Sequence, residues 1–460
     1  MGSQAATRPT KSFIQHIKKG SIKIIIRIRK IGLSNFKNVE NGTINLPGSH
    51  SELSQDMESE IIGIYGQNGS GKTAVVEALA ILKHILSGNP LPQNAADKIH
   101  KSAVSSELSF EFDLQLHQHE STLYYQAQLT RTENGDLTIN KEKLSYKIKQ
   151  AHEPRQKETI IDFDADEKGY AFRPIKNLNR LNHKSPENNV DLLVSKKMSQ
   201  KNRTSFIFSD ETREILKNSY DFVEYRDIIF ALRQYARQKL FIMDHDYKIQ
   251  EEDMPAMKPM LVSLEAFETM KKTLAQVNIV ISAIIPGLEV DIKNYGPQLS
   301  PDGTSGVRIE MVSKRQDLEI PLRYESGGIK KIIYMLGSMI KMYNDPSVCL
   351  VVDELDSGIF EYLLGELLEI LTQNARGQLI FTSHNLRPLE KLSADSLIFT
   401  TTNPKNRYYR LRGGNEKESL RSKYYRCISL GGQKENLYEQ TDHFEIARAF
   451  RRAGRMNHED

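Results

Sequence analysis

Eight consecutive residues, Gly66-Gln67-Asn68-Gly69-Ser70-Gly71-Lys72-Thr73, have the types and the spacing to hold a chain of phosphates. The glycines let backbone N–H groups, with those of Asn68 and Ser70 between them, converge on phosphate oxygens, and a helix that follows directs its positive end to the same point. Lys72 then reaches the β and γ phosphates, and the Thr73 hydroxyl holds Mg2+. Such a loop needs a strand before it and a helix after it. Glu60-Ile61-Ile62-Gly63-Ile64-Tyr65 is a short apolar run, and Thr73–Ile85 carries apolar residues at helical spacing. A glycine turn that matches by accident is the plainer alternative, and the completeness of the pattern argues against it.

About 280 residues later comes Cys349-Leu350-Val351-Val352-Asp353-Glu354-Leu355-Asp356, an apolar strand that ends in paired carboxylates. Asp353 would anchor Mg2+ and Glu354 would orient and polarise an attacking water. Alone, this pattern recurs in many sheets; with the phosphate loop it becomes specific. Gln378-Leu379-Ile380-Phe381-Thr382-Ser383-His384 reads as a further buried strand that ends in a histidine. A histidine in that place is ordinarily surface, but about 30 residues after the carboxylate pair His384 can meet the γ phosphate. Between the two strands and the loop lies Tyr324-Glu325-Ser326-Gly327-Gly328-Ile329-Lys330-Lys331, which leads into a helical pattern over Ile332–Met342. Ser326, Gly327 and Gly328 at a helix N-terminus form a second anion-binding surface. One chain has no second phosphate for it, so a partner's ATP would supply one; a simple capping turn is the reading of these residues on their own.

The elements that must position these residues read as an α/β chain. Ile22–Ile28 and Gly32–Lys37 look like an opening strand and its turn, and residues 105–150 alternate as antiparallel strands do, as in Leu108-Ser109-Phe110-Glu111-Phe112-Asp113-Leu114. Residues 150–205 are polar and read as a long surface insertion, in which Asp162-Phe163-Asp164-Ala165-Asp166 is a solvated loop rather than a metal site. Helical stretches follow near 210–240 and 262–285, then a strand pair at Val307–Val312 and Leu318–Arg323. The expected organisation is a flexible basic leader over 1–20, a first lobe over 21–150, a largely helical inserted lid over 151–305, a second lobe over 306–402 and a basic extension over 403–460. Sustained heptads, which a long coiled-coil arm needs, are missing from the inserted stretch.

Composition sets outer limits. Hydrophobic residues make up 39% and charged residues 27%, a globular balance. No apolar run approaches the roughly 18 residues of a membrane span, the N-terminus lacks a signal-peptide core, and Met1-Gly2 lacks the Ser or Thr at position 6 of a myristoylation site. Cys349 and Cys427 have no ligand-like spacing, which fits a reducing cytoplasm. Residues 1–39 contain no Asp or Glu, and a second basic stretch runs through Lys405, Arg407, Arg410, Arg412, Arg421, Lys423 and Arg426 to Arg448, Arg451, Arg452 and Arg455. A nucleic-acid footprint is one reading of it and solvated surface the other.

Phosphate loop, Ser-Gly-Gly turn, Asp-Glu strand end, Leu355-Asp356 and strand-end His384 occur in the order of ABC-type ATPases, and with Asn35-Phe36 near the start the chain resembles their SMC-like branch. It is most similar to the compact bacterial AAA-type ATPases grouped with the OLD family and found in anti-phage defence loci. The resemblance is specific over residues 22–88 and 320–400. It implies a P-loop NTPase fold with an ABC-type core, a mixed β-sheet flanked by helices, and an inserted lid subdomain. It further implies Lys72 and Thr73 as the Walker A pair, Asp353 and Glu354 as the Walker B pair, and Ser326, Gly327 and Gly328 as a signature motif acting on the other subunit. Asp356 falls in the D-loop, and His384 is the switch histidine. Glu325 and Ile329 stand where transporter ATPases have Leu and Gln, which argues against transport. No Q-loop glutamine is evident; Gln115 and Gln126 are in reach, and strand surface is the simpler reading of both.

The expected function is therefore hydrolysis of ATP with Mg2+ in a homodimer or larger homo-oligomer whose composite sites switch an effector, a nuclease or toxin encoded nearby, in anti-phage defence. Only about 60 residues follow Leu397, too few for the nuclease domain that OLD-type relatives carry. The alternative is a DNA-repair or DNA-structure ATPase that binds nucleic acid directly; a membrane partner is not expected.

Overall fold

A computed structural model describes residues 24–456, apart from 49–52, 54–56, 117–118, 133, 150–155, 183–186, 218, 220, 245–257, 300–302, 304, 412–418 and 431–432. The expected leader over 1–20 and the side chain of Arg455 lie outside the described residues, as does Arg412.

Three sheets build the molecule. The first joins β1 (Ile25–Phe36), β2 (Val39–Asn45), β4 (Ser105–Leu116), β5 (His119–Arg131), β6 (Leu137–Lys149) and β7 (Glu158–Asp164) in the order β2-β1-β4-β5-β6-β7, all antiparallel. The second, central sheet has the order β16-β15-β3-β14-β13-β8, with β3 (Glu60–Tyr65), β8 (Leu240–Met243), β13 (Cys349–Val352), β14 (Gln378–Thr382) and β15 (Leu397–Thr400) parallel and β16 (Tyr408–Tyr409) antiparallel at one edge. A small third sheet holds β9 (Met260–Val262), β10 (Glu289–Leu299), β11 (Ser305–Arg315) and β12 (Leu318–Pro321).

Every residue of β3, β13, β14 and β15 is buried, because both faces of the central sheet are covered. One face, with Ile62, Ile64, Val351 and Ile380, packs on α1 (Lys72–Ser87), which is enclosed between this sheet and the first. The opposite face, with Ile61, Leu350, Val352 and Phe381, packs under α6 (Leu264–Ile284), α7 (Gly327–Asn344) and α8 (Glu361–Asn374). Consecutive residues thus serve separate cores, as a period of two demands.

The expected boundary at 151 does not match this packing. β7 completes the first sheet, and Phe163, Phe206 and Phe208 join the core around α1. Between β7 and β8 run the helices α2 (Ile175–Asn182), α3 (Glu187–Asn202), α4 (Asp210–Lys217) and α5 (Val223–Gln238), and β8 then becomes an edge strand of the central sheet. The polarity of 150–205 misled because scattered apolar residues such as Ile160, Ile161, Phe163, Phe172, Leu178 and Leu192, rather than long continuous runs, do the burying. Asp162 and Asp164 likewise lie on an edge strand rather than a loop, paired with Lys143 at 2.6 Å and Lys141 at 2.8 Å.

The first sheet is joined to the central one by a buried polar cluster. Gln378 at the start of β14 uses its amide as a backbone mimic, accepting from the Ile28 N–H at 2.9 Å and donating to the Ile28 carbonyl at 2.8 Å. Its Nε2 also donates to Glu60 at 2.6 Å, and Glu60 is held by Arg27 at 3.4 Å and Arg29 at 2.8 Å. Arg29 continues to Asp113 of β4, which Lys149 of β6 meets at 2.9 Å. Burial lowers the Arg27 pKa, and Glu60 only partly counters this. Two arginines below one-tenth exposure therefore share Glu60, and only Arg29 has a second carboxylate, Asp113, among the described residues. Glu60→Gln keeps the shape and removes the charge; it should destabilise the chain by about 3–5 kcal/mol, read as the shift in urea unfolding at pH 7. A loss under about 1 kcal/mol would show that the arginines do not need that charge.

Candidate functional site

Because β3, β14 and β13 run parallel, their C-terminal ends share an edge, and the candidate residues gather there. The turn after β3 carries Gly66 (φ 152°), Gly69 (φ 75°) and Gly71 (φ 97°), and Gly71 caps α1 in the left-handed region with no side-chain hydrogen bond. The first-turn N–H groups of α1 are thus left for an anion. A Cβ on Gly66 would be built into the Thr400 hydroxyl, so this position has no room for a side chain. Below the turn, Tyr408 donates to the Gly71 carbonyl at 2.9 Å and Arg407 to the Thr401 and Asn38 carbonyls, each at 2.6 Å.

A cleft of about 830 Å³ opens over this edge, lined among others by Asn68, Gly69, Gly71, Lys72, Thr73, Glu354, Thr382 and His384. That is a volume suited to a ligand of nucleotide size. Lys72 donates to the carbonyls of Gly66 at 2.9 Å and Gln67 at 3.0 Å. Burial lowers its pKa, and the nearby Asp353, Glu354 and Asp356 oppose the shift. Ser70 turns inward instead, to the Gln67 carbonyl at 2.6 Å and to Thr400, so only its backbone is available to a ligand.

At the end of β13, Asp353 is buried and Glu354 adopts φ 48°. A left-handed glutamate is strained, by an amount on the order of 1–3 kcal/mol, and persists only where its surroundings hold it. Here the Thr382 hydroxyl, buried at the end of β14, does so: it accepts from the Glu354 N–H at 2.7 Å and donates to the Asp353 carboxylate. From the other side Lys331, wholly buried on α7, donates to the Glu354 carbonyl. Burial brings the Lys331 pKa down to about 8 against the pull of Asp356, Glu354 and Asp353. Asp356 accepts from the N–H groups of His384 at 3.2 Å and Asn385 at 3.0 Å, which fixes the loop that presents His384 to the cleft.

Ser326, Gly327 and Gly328 do not join this cleft. Ser326 is exposed and caps α7, accepting from the Ile329 N–H at 3.3 Å. Gly327 is open, while Gly328 lies against the backbone of Gly358, two residues beyond Asp356. Glu325 is occupied within the third sheet's side of the molecule, bonded to Ser313 at 2.5 Å and Arg315 at 2.8 Å. The turn therefore faces outward from the chain that carries it.

Residues that the sequence patterns did not single out also line the cleft: Lys37 and Asn38 after β1, and His100 and Lys101 before β4. Neither Gln115 nor Gln126 is among the lining residues; both lie within strands of the first sheet. Thr382 was signalled by its register, since Val352 pairs with Phe381 and the next residues on the two strands are Asp353 and Thr382. His100 and Lys101 follow a 3-10 turn over Gln93–Lys98, and no spacing rule points to them. The hard oxygen donors of Thr73 and Asp353, next to the Lys72 cradle, fit Mg2+ bound with phosphates.

Residues 61–389 match the family described as "AAA domain, putative AbiEii toxin, Type IV TA system". No curated protein matches the sequence. Similar solved structures include the SMC head domain from Thermotoga maritima, at 15% identity and TM-score 0.35, covering 84% of this chain and 100% of that one. An SMC head bound to the C-winged helix domain of ScpA is 14% identical with TM-score 0.38, covering 84% and 98%. The recombination mediator RecF with ATP is 11% identical with TM-score 0.36, covering 78% and 94%. No helix among the described residues is long and apolar enough to cross a membrane.

The paired glycines generate a sharp contrast. A Cβ on Gly328 would enter the Gly358 carbonyl, whereas one on Gly327 meets nothing within 4 Å. Gly328→Ala should cost about 1–3 kcal/mol of stability, and Gly327→Ala should be neutral or stabilising by up to about 1 kcal/mol, both read from urea midpoints. Equal effects would show that the close approach is not maintained in solution.

Proposed function

Since the chain belongs to this AAA-domain family, we propose that it hydrolyses ATP with Mg2+ in composite sites between two copies, each copy's Ser326–Gly328 turn closing on the ATP held by the other. The observation that carries the reading is the split placement of anion-binding elements: the P-loop, Glu354 and His384 share one cleft, while the Ser326 turn opens to solvent elsewhere. An exposed helix N-terminus with an open glycine beside it suits a phosphate brought by a neighbour.

Within the cleft Lys72 and the first turn of α1 would take the negative charge of the β and γ phosphates, and Thr73 and Asp353 would hold the metal. A magnesium ion held there would supply positive charge against the phosphate oxygens. Glu354, held by Thr382 and Lys331, accepts a hydrogen bond from the attacking water and takes its proton as the water oxygen bonds to the γ phosphorus. The bond from γ phosphorus to the bridging oxygen breaks, leaving ADP and phosphate. His384, placed by Asp356, meets the γ phosphate and is released with it, so the loop reads whether hydrolysis has occurred.

Closure and reopening of the dimer would then act on a partner effector, a nuclease or toxin, in anti-phage defence. The toxin in the family's description supports an ATPase working as part of a two-component system. The other reading, direct action on DNA, draws support from Arg426, exposed on a C-terminal helix, with Lys423 half-buried one turn before it. Arg407 and Arg410 lend it none, because both are committed to backbone carbonyls. Stimulation of turnover by DNA separates the two.

Glu354→Gln should bind ATP, lose hydrolysis by roughly a hundredfold or more, and accumulate ATP-bound dimers in light scattering. Ser326→Arg should still bind ATP while remaining monomeric and inactive. Normal turnover in Ser326→Arg would remove the composite site from consideration.

A further inference from the structure

The C-terminal segment is tied to the phosphate loop and then leaves the body of the protein. Glu435 accepts from the side chains of Asn403 at 3.1 Å and Asn406 at 2.8 Å, the Asn436 carbonyl accepts from Thr402 at 2.8 Å, and Leu437 is buried in the second core. The Glu439 N–H then donates to Gln67 Oε1 at 2.8 Å. After α9 (Leu420–Leu430), this strap leads to α10 (His443–Met456), which starts four residues beyond Glu439. Asp442 caps α10, accepting from the Phe444 N–H at 2.7 Å.

Every residue of α10 with a described side chain is exposed, including Phe444 at 70% and Phe450 at 76%. Its sequence is nevertheless sharply two-sided. Ile446, Ala449, Phe450 and Ala453 recur at i, i+3, i+4 and i+7, on an arc of about 100°; Arg452 flanks this arc, and Arg448 and Arg451 fall on the opposite side. A helix of 14 residues is marginal in water when it buries nothing. The apolar stripe implies a surface that the described residues of the single chain do not supply.

We propose that α10 is an exchanged arm, docking on the start of α8 in a second copy when the two copies close over ATP; the inference rests on the composite-site reading above. The receiving corner is Phe360 (73% exposed), Glu361 and Tyr362 (53% exposed), with Glu366 one turn further on. This corner begins two residues after Gly358, which is packed on Gly328 of the outward-facing turn. The turn that meets a partner's phosphate loop therefore brings the corner to the same loop, and the strap on Gln67 roots the partner's α10 there. Charge agrees with placement: Arg452 flanks the arm's stripe, and the corner carries Glu361 and Glu366 beside its two aromatic rings, while Arg387, 5.3 Å over the Tyr362 ring, is already paired with Glu390. The apolar stripe would cover Phe360 and Tyr362 while Arg452 reaches the carboxylates. At about 1.5 Å per residue, the arm is long enough to cross the start of α8. It would act as a latch outside the nucleotide cleft, slowing reopening without touching the chemistry.

The full-length Glu354→Gln chain, with ATP and Mg2+, is the background for the test. Adding Ile446→Asp and Phe450→Asp should weaken its dimerisation about tenfold or more, measured by sedimentation, with ATP binding unchanged. Both positions are exposed, so the monomer should melt as before; Arg452→Glu should also weaken the dimer, and Glu366→Arg should restore part of it. A Phe360→Cys chain mixed with a Phe450→Cys chain should form an ATP-dependent crosslink with a short bis-maleimide, each chain alone forming little. Unchanged dimerisation in the aspartate variant, or a crosslink formed within one chain carrying both cysteines, overturns the arm and leaves the composite site standing. A variant that dimerises normally but loses binding to a 20-base-pair duplex or to phosphatidylglycerol vesicles also overturns it, in favour of those surfaces. If Glu354→Gln itself stays monomeric with ATP, the composite-site reading fails first.

Discussion

Parallel pairing of β3, β14 and β13 is the constraint from which the site follows. Parallel strands present their C-terminal ends at one edge, and here that edge receives the phosphate loop, the Asp353–Glu354 pair and the Thr382–His384 turn. Residues separated by about 280 and 310 positions in the chain become neighbours through the strand order. What remains for side chains is fine placement. Thr382 does most of it, since one hydroxyl spans both carboxylate residues and sits where the strand register alone would put it.

The site's rigidity is paid for in the backbone. Glu354 in the left-handed region, with Thr382 on its N–H and Lys331 on its carbonyl, is held at both ends of a conformation that it would not choose. Fixing the peptide leaves the carboxylate as the part free to turn, which suits the proposed role of positioning a water and taking its proton. Lys331 comes from the helix that begins with the Ser326 turn, so the outward-facing element and Glu354 belong to one hydrogen-bonded unit.

The elements that meet at the cleft were legible in the sequence because each is local: a glycine-rich octet, an apolar run ending in Asp-Glu, and another ending in histidine. Of the central strands β3, β13 and β14 were legible for the same reason, as short continuous apolar runs, whereas β8, β15 and β16 were not. The segment 150–205 was not, because its buried apolar residues are scattered within polar stretches, and burial of Phe163 against Phe206 depends on contacts across 43 positions. The basic stretch after residue 403 was misjudged as wholly surface or nucleic-acid contact; Arg407 and Arg410 satisfy carbonyls, which no charge count reveals. His100 and Lys101 escaped because only the path of the chain between α1 and β4 brings them over the cleft.

The approach of Gly328 to Gly358 has a mechanical consequence. Side chains flex and dissipate displacement through rotamer changes, but two backbones in direct contact have nothing compressible between them. The loop after Glu354 and the start of α7 must therefore travel together, as two ends of one stiff lever whose fulcrum is a pair of hydrogen atoms where other residues would carry methyl groups.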